Sequence, residues 1–143
     1  MAYAIFINEE LFKIAENDMQ KDSLNISYDI YNAQTITSEQ FSKLKKDRAT
    51  ASFSNNAVVF TDSTGEQKLN QEIVEVISVE TTKLLNDFLN NNSSSHAMYS
   101  ACQNYKQVLE SFDFSTIEEN EDKTWGEYCE ENSITYLNPR QIP

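Results

Sequence analysis

Leu69-Asn70-Gln71-Glu72-Ile73-Val74-Glu75-Val76-Ile77-Ser78-Val79-Glu80-Thr81-Thr82-Lys83-Leu84-Leu85-Asn86-Asp87-Phe88 is the stretch on which the fold class turns. Leu69, Ile73, Ile77, Leu84 and Phe88 keep spacings of three to four residues or their multiples, and Val76 and Leu85 widen the stripe. That period is helical. The run from Ile73 to Val79 is rich in β-branched residues, which favour strands. A pattern of about 20 residues exceeds an ordinary strand, so length decides for an amphipathic helix.

Outward from this helix, Asn90-Asn91-Asn92-Ser93-Ser94-Ser95 is a polar connection too short to separate domains. Met98, Cys102, Tyr105, Leu109 and Phe112 then repeat at four–three spacing and predict a second helix, packed antiparallel on the first as an αα-hairpin. Towards the N-terminus the period changes to two. Tyr3–Ile7 and Leu11–Ala15 read as strands joined at Asn8-Glu9-Glu10, and Asn17–Ser23 as a polar loop. Ile26, Tyr28, Ile30 and Thr35-Ile36 suggest extended chain. Thr37-Ser38-Glu39-Gln40 matches a capping box opening a short helix that buries Phe41 and Leu44 and ends near Asp47. Ala51–Ser54 and Ala57–Thr61 flank Asn55-Asn56, a two-residue hairpin turn, and Asp62-Ser63-Thr64-Gly65 closes the unit as a loop. Beyond Phe112, an acidic loop (Glu118–Asp122) precedes a second capping box, Thr124-Trp125-Gly126-Glu127, and a short helix to Glu131. Ser133–Leu137 reads as a strand and Asn138–Pro143 as an extended tail. The expected class is α+β in a single domain over 1–143. Within it 1–65 is mainly β with one short helix, 69–112 a helical hairpin, and 113–143 the acidic loop, short helix and C-terminal arm.

Composition bounds the function. The 143 residues include 23 acidic and 11 basic side chains, a net charge of −12. Such a field repels a phosphate backbone and an anionic membrane surface, so neither nucleic acid nor membrane is the expected partner. The opening Met1-Ala2-Tyr3-Ala4-Ile5-Phe6-Ile7 lacks the basic flank of a signal peptide, and no apolar run reaches the roughly 18 residues of a membrane span. Cys102 and Cys129 form no CxxC and are expected to be reduced thiols.

Candidate chemistry is sparse. The one histidine, His96, follows the Asn/Ser connection with no positioned nucleophile beside it, and reads as a helix-start residue. Cys102 lies on the apolar stripe, and Cys129 sits beside acidic residues that raise a thiol pKa. Asp113–Thr124 lacks the ligand spacing and the glycine of a calcium loop, so its carboxylates read as a solvated face. The phosphate-loop, dinucleotide, zincin and nucleophile-elbow motifs are absent. The expectation is a non-enzymatic chain with no catalytic residues, cofactor or metal. Trp125 and Tyr128, at i and i+3 of the last helix, with Tyr136, Leu137, Arg140 and Ile142 beyond, are the candidate partner-binding residues. They would either pin the C-terminus onto the core or form an aromatic docking surface.

The ending Lys123-Thr124-Trp125-Gly126-Glu127-Tyr128-Cys129, with Ile134-Thr135-Tyr136-Leu137-Asn138-Pro139-Arg140-Gln141-Ile142-Pro143, resembles the close of small proteins of marine contractile-tailed bacteriophages, encoded near tail and tail-fibre genes. Tyr3–Ile7, Phe12–Asn17, Ile36–Phe41 and Asn55–Val59 share the likeness, with Asn56 standing where such a hairpin turn commonly has glycine. The resemblance implies a virion structural protein of the tail, baseplate or fibre-attachment region. Its partners would be other phage structural proteins, in several symmetric copies or as a homo-oligomer, and it would be made in the host cytoplasm. The alternatives are a dissociable tail-fibre assembly chaperone and, third, a host-directed acidic effector.

Overall fold

The computed structural model describes residues 1–28, 30, 32–46, 49–62, 69–117 and 123–143, with the backbone alone at 27 and 71–76. The fold is α+β, as the change of period at Leu69 predicts. The chain divides into two compact units, Met1–Thr64 with Pro143, and Gly65–Ile142. The apolar residues of each half close their own clusters, which is the physical reason.

The first unit is built on five antiparallel strands in the order β3-β1-β2-β4-β5. They are β1 (Ala2–Ile7), β2 (Glu10–Ala15), β3 (Ala33–Ile36), β4 (Thr50–Ser54) and β5 (Ala57–Thr61). Alternation sends Ala2, Ala4 and Phe6 to one face, where α2 (Ser38–Lys46) covers them with Phe41 and Leu44. Ile5 and Ala15 go to the other face, against Leu24 of α1 (Asp18–Ser27). The pairing of β1 with β2 slips between Ile5 and Phe6, so Phe12 is the extra residue of a β-bulge. Both predicted hairpins form. Asn55 and Asn56 take φ of 54° and 59°, the left-handed pair that a two-residue turn needs. The α2 capping box is complete: Gln40 N–H donates to Thr37 Oγ1 and Thr37 N–H to Gln40 Oε1, both at 3.0 Å.

One expectation here is corrected. Residues 17–23 are not a loop but the start of α1, capped by Asn17, whose Oδ1 accepts from Gln20 N–H at 2.9 Å. The helix shows no stripe because it buries little besides Ser23 and Leu24, while Met19 and Ile26 face solvent. Ile26 therefore lies on a helix and not on extended chain. The end of α2 near Asp47 and the loop residues 63–65 lie outside the described residues.

In the second unit the deciding stretch is helical throughout, but its winding changes. α3 (Leu69–Glu72) passes into a π-helical segment (Ile73–Thr81) and then α4 (Thr82–Asn91). Beyond Leu69 the described buried positions step by four, Ile77, Thr81 and Leu85, before Phe88. A turn closed by i→i+5 bonds holds more residues than an α-turn. The buried face therefore reaches Leu85, and the predicted stripe residue Leu84 is turned out, 36 % exposed. α5 (Tyr99–Ser111) packs on α4 and buries Met98, Cys102, Tyr105 and Leu109 as the four–three spacing predicts, with Phe112 half-buried at its end.

After a 3₁₀ turn (Phe114–Thr116), α6 (Trp125–Glu131) opens on its capping box, Glu127 N–H to Thr124 Oγ1 at 3.1 Å and Thr124 N–H to Glu127 Oε1 at 3.3 Å. It ends in a Schellman motif. Ser133 takes φ of 56°, its N–H donates to the Glu130 carbonyl, and Ile134 N–H donates to the Cys129 carbonyl at 2.8 Å. Ser133–Leu137 is not a strand: among the described residues no strand pairs with it, and Tyr136 and Leu137 both turn into the core of this unit. Nor is Asn138–Pro143 an extended tail, because Pro139–Gln141 forms a 3₁₀ turn capped by Asn138. The acidic loop Glu118–Asp122 lies outside the described residues.

Candidate functional site

The C-terminal aromatic residues are positioned by two capping boxes. Thr124 fixes Trp125 at the first position of α6, so the indole points back towards α5, where its Nε1–H donates to Tyr105 Oη at 2.9 Å within the core. Tyr128, one turn on, stacks on the indole with centroids 5.8 Å apart and planes 14° from parallel. Phe112 meets Trp125 edge-on at 5.4 Å and Phe114 packs at 5.8 Å. Phe112 also touches Phe114 at 5.1 Å and Tyr128 at 6.1 Å. Each offset or edge contact adds about 0.5–1.5 kcal/mol beyond the area it buries. Trp125 is buried, and the three rings packed on it, Phe112, Phe114 and Tyr128, are only partly covered.

The second box, Arg140 N–H to Asn138 Oδ1 and Asn138 N–H to Gln141 Oε1, both at 2.9 Å, folds the last turn inward. Of the six candidate partner-binding residues, Trp125, Tyr136, Leu137 and Ile142 lie in the core of the second unit, and Tyr128 and Arg140 reach its surface. Burial pulls the Arg140 guanidinium below its usual pKa. The half-exposed Phe112 and Phe114 were not among the candidates. Their signal was present in Phe112-Asp113-Phe114, where Asp113 turns the chain by accepting from Ser115 N–H at 3.0 Å. The Ser115 hydroxyl, which also donates to this carboxylate at 2.6 Å, together with that N–H holds the Asp113 carboxyl below the usual carboxylate range.

Beside this aromatic corner a groove of about 240 Å³ opens between α5 and the helix of α4, lined by Thr82, Leu85, Lys106, Leu109 and Phe114. Lys106 and Glu110 form a long, exposed ion pair at its rim (3.8 Å), which adds little stability. The groove is apolar with a charged lip, a shape suited to an apolar side chain of another protein.

Other candidates take structural places. His96 Nδ1 accepts from Met98 N–H at 3.1 Å, at the approach to α5, and its ring stands edge-on to Phe88 at 4.9 Å. Cys102 and Cys129 are fully buried and not joined, and burial pushes the Cys102 thiol up to about 12. Lys13 was not predicted as special. The bulge at Phe12 turns it to the α1 side of the sheet, where it is only 7 % exposed, with Nζ over the rings of Phe12 (5.3 Å) and Tyr28 (5.5 Å). Desolvation lowers its pKa to about 8. Among the described residues no group of His, Cys, Asp or Glu is placed to hold a metal ion, and no described helix is long and apolar enough to cross a membrane. No protein-family model, curated protein or solved structure matches the chain.

Proposed function

We propose that this chain is a non-enzymatic structural protein of a contractile-tailed bacteriophage, a small virion subunit bound in the tail, baseplate or fibre-attachment region. The observation that carries the reading is the part played by residues 123–143. The stretch on which the likeness to phage proteins rests supplies Trp125 and the half-exposed Tyr128 to an aromatic corner that Phe112 and Phe114 complete. Rings held by their neighbours lose little freedom on binding, which is why Tyr and Trp dominate interface hot spots. The groove beside the corner offers a place for one apolar anchor of a neighbouring subunit. The net charge of −12 favours a partner with a basic or neutral face.

Mass spectrometry of purified particles tests the assignment, with the chain expected among the virion proteins at constant stoichiometry. Its absence from the particle, joined to a gain in soluble fibre on co-expression, would assign it instead as an assembly chaperone. Absence from the particle with no effect on fibre, and capture of a host protein, would make it a host-directed effector.

A further inference from the structure

Strand β5 ends the sheet of the first unit. One side pairs with β4, and among the described residues no strand lies along the other. The hairpin register fixes which backbone groups face outward. Asn55 and Asn56 close a two-residue turn, so Ser54 and Ala57 form its hydrogen-bonded pair. Antiparallel pairs alternate, and Val59 and Thr61 therefore direct their N–H and C=O towards β4, while Val58 and Phe60 direct theirs away from it.

Exposed edges are usually blunted by charge, proline or a bulge. Ala57-Val58-Val59-Phe60-Thr61 carries none of these, and the next residue, Asp62, has its charge paired with Lys43 at 2.8 Å. Val59 is 49 % exposed. Val58 and Phe60 are only partly buried against the α2-side core, so the sheet's apolar face is unfinished at this edge.

We propose that β5 pairs with the β5 of a second copy, antiparallel about a two-fold axis through Val59. In that register Val58 opposes the partner subunit's Phe60, and Phe60 opposes the partner subunit's Val58. Each pair can exchange two N–H···O=C bonds, four in all, because these are the residues whose backbone groups point outward. The strand is matched to itself. A large ring meets a smaller branched side chain twice on the core side, no like charges are opposed, and the two Val59 side chains meet at the close spacing of a non-hydrogen-bonded pair. This self-match of an uncharged strand argues for a second copy as the occupant, formed against the general repulsion between two chains of net charge −12.

Sedimentation of the full chain over a wide concentration range tests this, at about 0.15 M salt so that long-range repulsion is screened. A single strand pair is a small contact, and the expected result is a weak monomer–dimer equilibrium. Val59→Lys opposes two ammonium groups at the axis and is expected to weaken the dimer by about tenfold or more, with the far-ultraviolet spectrum unchanged. Val59→Cys should cross-link under mild oxidation and Ala57→Cys should not, since only the axial residue meets its own copy. Cys102 and Cys129 are buried and do not compete. A chain that sediments as a monomer at every concentration overturns the proposal, even if an extended peptide of another protein takes the edge. Equal cross-linking of the two cysteine variants overturns it as well.

Discussion

Replacing Trp125 with alanine removes the largest fully buried side chain of the second unit, only 2 % exposed. A buried tryptophan covers about 150–250 Å². At roughly 25 cal/mol per Å² this is worth about 4–6 kcal/mol, an upper bound because the unfolded chain also hides some surface. The indole has three ring partners and a hydrogen bond to Tyr105, and only part of the space it leaves can be refilled. The expected loss is about 3–5 kcal/mol. Trp125→Phe keeps a ring but loses the Nε1–H donated to Tyr105 and is expected to cost about 1–2 kcal/mol. Urea unfolding followed by far-ultraviolet circular dichroism, with no partner present, measures both. Trp125 is the chain's one tryptophan, so the wild-type fluorescence transition isolates the second unit. A loss below about 1 kcal/mol for Trp125→Ala would refute the claim that this residue holds the core, and would return it to the surface-docking role open to it on sequence grounds.

Lys13 makes stability depend on pH in a direction fixed by its burial. Its folded pKa of about 8 lies below that of the unfolded chain, so the unfolded state binds more protons between about pH 8 and pH 10.4, and stability rises with pH across that window. The difference between the wild type and Lys13→Met should shift by on the order of 2 kcal/mol between about pH 7 and pH 9.5 in denaturant titrations; parallel pH profiles would rule the account out. Thr81 is fully buried and among the described residues its Oγ1 has no hydrogen-bond partner, so Thr81→Val, of equal shape, should raise stability by about 1 kcal/mol, and a lower urea midpoint would count against this. Ser133→Gly relieves the left-handed position of the Schellman motif, with a gain of up to about 1 kcal/mol in the same assay; a loss would show that the serine side chain stabilises the turn.

Legibility in the sequence followed the strength of local signals. Both two-stranded hairpins, α2, α5 and α6 were readable, because alternation, Asn-Asn and the Thr-x-x-Gln and Thr-x-x-Glu boxes each act through near neighbours. α1 was hidden by its thin buried face, although Asn17 and Gln20, one turn apart, were its available cap signal. The placing of Leu85 over Leu84 depended on a winding that no three–four spacing expresses. Tyr136 and Leu137 looked like a strand by residue type, yet a strand needs a neighbour, and here the core takes two successive side chains. Of the site, Trp125 and Tyr128 could be named at sight. Which ring would be floor and which rim could not, because that depends on where α5 lays Tyr105 and Phe112.

The π-wound segment Ile73–Thr81 also bears on how this chain can change length. A wide turn is an α-turn that has absorbed an additional residue without breaking. A single-residue deletion there can be met by local tightening, leaving the flanking turns in phase. The same deletion between Thr82 and Asn91 has no such slack, and every side chain beyond it swings by about 100°. Insertions and deletions in relatives of this protein should therefore gather in the wide turn, while α4 keeps its residue count.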